Sequence, residues 1–184
     1  MFQRFLFYTI LIVFCLPSTG FPDNHEHGGT GISELRFGAL GHDVGLLGQK
    51  VEHGNDFNLE VLFHTPSLPL FKKIWSPKPH LGFTFNDSDR TSQIYAGLSW
   101  TYKIKPLFLE WSLGLSVHNG GTSHMKGFRK AFGRKGLFRE SIQLGYRFRE
   151  RHSLSLMVDH VSNAGLADSN PGMETFGLRY GFAF

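Results

Sequence analysis

Three residues near the C-terminus, His160, Ser162 and Glu174, are of the types that cleave esters. A serine hydroxyl attacks an acyl carbon when a histidine takes its proton, and a carboxylate orients the imidazole and stabilises its charged form. Two residues along a strand cover about 6.6 Å of backbone and return to the same face, so His160 and Ser162 could meet there. Serine and histidine recur elsewhere in the chain, so types and spacing alone leave a second reading open. In that reading the three are solvated polar groups at a strand end.

The elements that must position these residues read as strands. Apolar residues alternate with polar or small ones in eight stretches, the pattern of a sheet with two unlike faces. The apolar members are Leu35 to Ala39, Phe57 to Phe63, Leu81 to Phe85, Ile94 to Tyr102, Leu107 to Val117, Ile142 to Phe148, Leu154 to Val158 and Phe176 to Phe184. The opposite faces carry Glu, Gln, Arg, Ser and Gly, a poor filling for a soluble core. A soluble sandwich or lipocalin-like barrel also alternates. Aromatic residues near the ends of the apolar faces favour an eight-stranded antiparallel transmembrane β-barrel of the outer-membrane type, for which an even strand number is the bacterial rule.

Composition agrees. The chain of 184 residues has 19 Phe and 22 Gly, 18% charged residues and a net charge of +4. Its slightly negative mean hydropathy fits polar inward faces diluting apolar outward ones. There is no long basic run of the kind that binds nucleic acid. Residues 1–20 read as a signal peptide, with Arg4, an apolar run from Phe5 to Leu16, and Ser18 and Gly20 before the cut. That run is too short for a spanning helix. Residues 21–184 then form a single barrel domain. The sole cysteine, Cys15, falls inside the signal, so the mature chain has no disulfide. The His25-Glu26-His27 tail lacks the further fixed ligands of a metal site, and no metal or organic cofactor is expected. The chain ends on Phe184, which looks like the C-terminal signature read by the barrel assembly machinery.

With the mature N-terminus in the periplasm, the links Ile104 to Pro106 and Glu150 to His152 are short periplasmic turns. The link Thr65 to Pro79 is unusually long, and its Pro66, Pro69, Pro77 and Pro79 argue against strand. The outer side receives the link after the first strand, Asp87 to Arg90, Asn119 to Gly136 and Asn163 to Met173. Lys126, Arg129, Lys130, Arg134 and Lys135 cluster in the longest of these, as a solvated face or as contacts to anionic lipid head groups. Strand parity places His160 and Ser162 with Leu154, Leu156 and Val158, and Glu174 with Phe176 and Leu178. All three therefore point outward. Ionisable groups at membrane depth are functional candidates.

The segment HVSNAG, followed by NPG and Glu174, resembles the PagL family of lipid A 3-O-deacylases. The match covers His160, Ser162, Asn163, Ala164, Gly165, Asn170, Pro171, Gly172 and Glu174. The resemblance implies a carboxylic ester hydrolase of the bacterial outer membrane acting on lipid A or lipopolysaccharide. Ser162 would be the nucleophile, His160 the base and Glu174 the orienting acid. The backbone N–H of Gly165 and the amide of Asn170 would hold the oxyanion, with Asn163 shaping the loop. The active site would face the outer leaflet, where such a substrate diffuses. Two rivals remain at this point: a non-enzymatic small barrel, and an acyltransferase working between lipids of one leaflet. The residues leave open acyl-chain preference, latency and whether the barrel pairs as a homodimer.

Overall fold

The computed structural model describes residues 31–123 and 129–184. The expected signal segment, Cys15, the His25-Glu26-His27 tail and Lys126 lie outside them. Eight antiparallel strands follow one another around a closed barrel: β1 (Ile32–Gly41), β2 (Asn55–Phe63), β3 (Lys78–Asn86), β4 (Gln93–Ile104), β5 (Leu107–His118), β6 (Gly136–Phe148), β7 (His152–Ser162) and β8 (Met173–Ala183). Closure is made by β1 and β8, paired from Glu34–Ala183 to Gly41–Phe176. The strands run 9 to 13 residues, about what a tilted strand needs to cross a bilayer. No helix among the described residues is long and apolar enough to cross a membrane. One short helix, α1 (Pro69–Lys73), sits in the β2–β3 link.

Alternation divides each strand between two environments. Phe37, Phe57, Phe83, Ile94, Leu115 and Leu178 stand exposed on the outer wall. Their neighbours turn inward and fill the lumen with paired charge. Arg36 donates to Glu34 at 2.8 Å, to Glu60 at 3.2 Å and to Glu110 at 2.8 Å. Arg179 pairs with Glu60 at 2.6 Å. Arg139 pairs with Asp159 and lies 3.7 Å over the ring of Tyr95. Buried ions persist only when paired and hydrogen-bonded, which explains why this inward face tolerates so many. Gly82 makes room for Tyr95, whose hydroxyl would lie 2.5 Å from an added Cβ. Toward one end, Phe132, Leu137, Val161 and Met173 form a small apolar plug.

The links after β1, β3, β5 and β7 gather at that end, as the alternation predicts. At the other end β4 passes to β5 through Lys105 and Pro106 alone. Pro66, Pro69 and Pro77 lie outside strand, as expected, and the long β2–β3 link contains the helical turn α1, begun by Pro69 at a position where the missing N–H costs nothing. One expectation for this link changes. Pro79, read as breaking strand, is the second residue of β3 and pairs with Leu98. Proline is tolerated near a strand start because few ladder donors are lost there.

Candidate active site

β7 and β8 bring His160 and Glu174 directly opposite each other in their register. Nδ1 of His160 and Oε1 of Glu174 are 2.8 Å apart. Both side chains have the parity of the exposed Leu156 and Leu178, so the pair lies on the outer wall. Glu174 is fully buried and His160 is 14% exposed at its side chain, so one edge of the imidazole remains reachable. The other carboxylate oxygen of Glu174 accepts a long bond from the Leu47 N–H at 3.5 Å. Its backbone carbonyl accepts the Val44 N–H at 2.8 Å. The β1–β2 link thus covers the acid and holds it under the histidine.

Ser162 is the last residue of β7, beyond the final β7–β8 rung and opposite Phe138 of β6. It is buried and shares the outward parity of His160. The chain then turns sharply. Ala164 and Gly165 both take left-handed backbone conformations, and the Gly165 N–H donates to Asn163 Oδ1 at 2.8 Å. This is the local side-chain turn that Asn favours. Asn163 also donates through Nδ2 to the carbonyls of Phe132 at 2.8 Å and Ser169 at 2.6 Å. It accordingly ties the turn to two other segments.

Asn170 Oδ1 accepts the Asn163 N–H at 2.9 Å. A backbone N–H can only donate, which settles the corner of the Asn170 amide that is oxygen and leaves Nδ2 on the other corner. The two expected oxyanion donors therefore stand differently. Asn170 is held by its oxygen with its NH₂ directed elsewhere, whereas the Gly165 N–H is engaged within the turn.

The expected basic cluster separates as well. Lys130 is not a head-group contact: it is fully buried, with Nζ 2.6 Å from Asp43 Oδ1 and 2.8 Å from the Gly172 carbonyl. Its backbone N–H donates to Glu52 at 2.7 Å. A buried ammonium needs such partners, and it finds them in two neighbouring links. Arg129 pairs with Asp89 at 2.8 Å across to the β3–β4 turn. Lys135 donates to the Gly120 carbonyl at 2.9 Å, and Arg134 is exposed.

Two groups escaped the reading of the sequence. Glu140 of β6 is the cross-strand partner of His160 on the side away from Glu174, so the imidazole lies between two carboxylates in one row. Glu140 accepts the indole N–H of Trp111 at 2.8 Å. Its signal was present, since it shares the parity of Ile142 and extends that stretch by one alternation. The second group is a buried network under the outer links. His42 lies 2.9 Å from both Glu52 and Asp56. Burial alone would lower the His42 pKa, but the bonds and charges of Asp56 and Glu52 outweigh it and raise it to about 9. Burial likewise opposes the Glu52 carboxylate, yet the bonds from His42, Thr91 and Lys130 bring it down to about 2. Among the described residues no group of His, Cys, Asp or Glu is arranged to hold a metal ion.

The chain resembles known outer-membrane barrels in fold. The crystal structure of the outer membrane enzyme PagL superposes with a TM-score of 0.56 at 18% identity, covering 84% of this chain and 100% of that one. The Yersinia pestis protein Ail in a phospholipid bilayer nanodisc gives 0.48 at 16% identity, covering 84% of this chain and 99% of that one. Comparison of the sequence with the curated proteins gives no match. A model of the family described as lipid A 3-O-deacylase (PagL) matches residues 47–183. That span holds seven of the eight strands with His160, Ser162 and Glu174, and by it the chain belongs to the PagL family of outer-membrane lipid A 3-O-deacylases.

Proposed function

We propose that this chain hydrolyses the 3-O-acyl ester of lipid A with Ser162 as nucleophile, His160 as base and acid, and Glu174 as the orienting carboxylate. The observation that carries the reading is the 2.8 Å contact between His160 Nδ1 and Glu174 on the outer wall. With Nδ1 on the carboxylate, Nε2 is the nitrogen on the ring edge away from Glu174, and in this reading it exchanges the proton with Ser162.

The steps follow from that arrangement. Ser162 Oγ attacks the ester carbonyl carbon as its proton passes to His160 Nε2. The resulting imidazolium is stabilised by Glu174. The tetrahedral intermediate collapses, the sugar oxygen leaves and takes the proton from Nε2, and an acyl-serine remains. Water then attacks, again losing its proton to Nε2, and the fatty acid departs as Ser162 recovers its hydrogen. Asn170 Nδ2 is the favoured oxyanion donor. The Gly165 N–H joins it only by leaving Asn163 Oδ1. Such donors act on charge that develops during reaction and are worth about 3 kcal/mol each when removed.

The barrel is oriented with the links after β1, β3, β5 and β7 outside the cell, since outer-membrane barrels keep short turns in the periplasm and the two shortest links, β4–β5 and β6–β7, lie at the other end. The outer-wall pair then stands level with the leaflet that holds lipopolysaccharide, where a lipid substrate arrives by lateral diffusion. Mass spectrometry of lipid A from cells expressing the chain tests the reading. Loss of one 3-hydroxyacyl group is expected with the intact chain and no loss with Ser162→Ala. Full deacylation by Ser162→Ala refutes the nucleophile, a gain of mass indicates acyl transfer, and an unchanged lipid A with the folded intact chain indicates a barrel without this activity.

A further inference from the structure

The β2–β3 link is the one long connection at the end of the barrel opposite the site. It exposes a set of apolar side chains: Leu68 at 56%, Leu70 at 64% and Trp75 at 42%. Lys72 and Lys73 stand exposed among them in the sequence LPLFKKIW. This mixture is costly in water and common where a segment lies in a membrane interface, with apolar side chains entering the acyl boundary and lysines meeting phosphates.

The link is also built rather than loose. Trp75 and Ser76 take left-handed conformations that end α1 abruptly. The Ser76 N–H returns to the Phe71 carbonyl at 2.7 Å, and Thr65 Oγ1 donates to the Ser76 carbonyl at 3.1 Å. Most telling is Trp100 of β4. Its parity is that of the exposed Ile94 and Ile104, so it belongs to the outer wall, and its indole N–H donates to the Ile74 carbonyl at 2.7 Å. Trp100 stacks on Trp111 of the same wall, with ring centroids 4.9 Å apart. The link therefore folds back against the apolar wall. Its exposed residues continue the surface that meets lipid.

We propose that this link is a phospholipid anchor: Leu68, Leu70 and Trp75 insert into the periplasmic leaflet, and Lys72 and Lys73 pair with its phosphate head groups. The proposal rests on the orientation given above. The partner is a glycerophospholipid surface because the patch is continuous with the outer wall and carries the charge that complements phosphate. Anchored at one rim and catalytic at the other, the barrel would be held at a set depth relative to the outer leaflet.

Spin labelling of the full chain in vesicles tests this. In a Cys15→Ala background, nitroxides are placed at Leu70→Cys, Trp75→Cys and Arg151→Cys, the last in the β6–β7 turn on the same rim. In vesicles of phosphatidylethanolamine and phosphatidylglycerol, labels at 70 and 75 should collide several-fold more with oxygen, relative to a water-soluble nickel complex, than the label at 151. Lys72→Gln with Lys73→Gln should move label 70 toward water only when phosphatidylglycerol is present. Nickel access at 70 and 75 equal to that at 151 overturns the anchor. Protection seen only at high protein-to-lipid ratio assigns the surface to a second copy and also overturns it. Labelling of the 70 position by an impermeant maleimide on intact cells overturns the orientation instead, and the depth profile separates the two failures.

Discussion

The ammonium of Lys130 is bonded 2.8 Å from the Gly172 carbonyl, two residues before the acid that pairs with His160. A side chain from the β5–β6 link thereby holds the strand start that carries Glu174. Lys130→Met should leave Asp43 buried without its cation, and breaking a buried pair in this way costs about 3–5 kcal/mol. The expected outcome is a lower unfolding temperature in a gel-shift assay together with reduced deacylation. Replacing both partners, as Lys130→Met with Asp43→Asn, should recover part of the stability, since Asn removes the unpaired charge, still accepts the Val51 and Glu52 N–H groups and tolerates the left-handed backbone at 43. Equal loss in the single and double variants would show that the pair is not what holds the link.

The two carboxylates beside His160 predict unequal effects. Glu174 is bonded to Nδ1, whereas Glu140 is a cross-strand neighbour bonded to Trp111. In the proposed mechanism Glu174→Gln removes the charge that would stabilise the imidazolium, and it should lower kcat by about 10²–10⁴, in line with other orienting acids. Glu140→Gln should cost about tenfold or less, as expected of a charge acting across the strand pair. Single-turnover rates on purified lipid A check the order. A larger loss from Glu140→Gln would move the orienting role to β6.

Gly172 gives a geometric prediction. Its φ is +64°, and a Cβ there would sit 3.0 Å from His160 Cε1. Gly172→Ala should cost about 1–2 kcal/mol in backbone strain and also press on the imidazole. The barrel should still fold, because the ladder of β8 begins only at the next residue. Activity should fall well below what the stability change accounts for. The imidazole proton resonances should shift in the nuclear magnetic resonance spectrum. Wild-type activity in this variant would mean that His160 has room to move without loss.

Much of this architecture was legible from parity. Alternation around Leu156 and Leu178 puts His160 and Glu174 on the same wall, and the single link between β7 and β8 makes them neighbours. The register follows from the same period, since a slip of one residue would turn every apolar side chain inward. Glu140 was missed because the sixth stretch was begun at Ile142, one alternation too late. Lys130 was misread because charge in a link defaults to solvent, and its partner Asp43 lies 87 residues away, with no local pattern joining the two. The same holds for His42 and Glu52, which come from a segment without periodicity. The Asn163–Gly165 turn was visible as turn chemistry. Its engagement of the Gly165 N–H depends on a side-chain orientation that sequence does not carry.

The buried pair under the outer links predicts how stability follows pH. His42 has its pKa raised from 6.5 to about 9, so its contribution is complete below 6.5 and is lost as pH rises through 9. Glu52 has its pKa lowered from 4.5 to about 2, so its contribution is complete above 4.5 and is lost as pH falls through 2. Both are fully present between 4.5 and 6.5, and the alkaline side should weaken first in ordinary buffers. The His42 share corresponds to a few kcal/mol, on the order of 1.4 kcal/mol for each pKa unit. Because Glu52 also accepts the Lys130 N–H, loosening at alkaline pH should spread to the link that holds Gly172. Protection factors, with the intrinsic base-catalysed rise in exchange divided out, should therefore fall at residues 129–132 and 170–174 between pH 7 and 9, and His42→Gln should abolish that fall. Protection that falls equally in His42→Gln would show that the alkaline opening arises elsewhere, and the network would then contribute packing without a pH response.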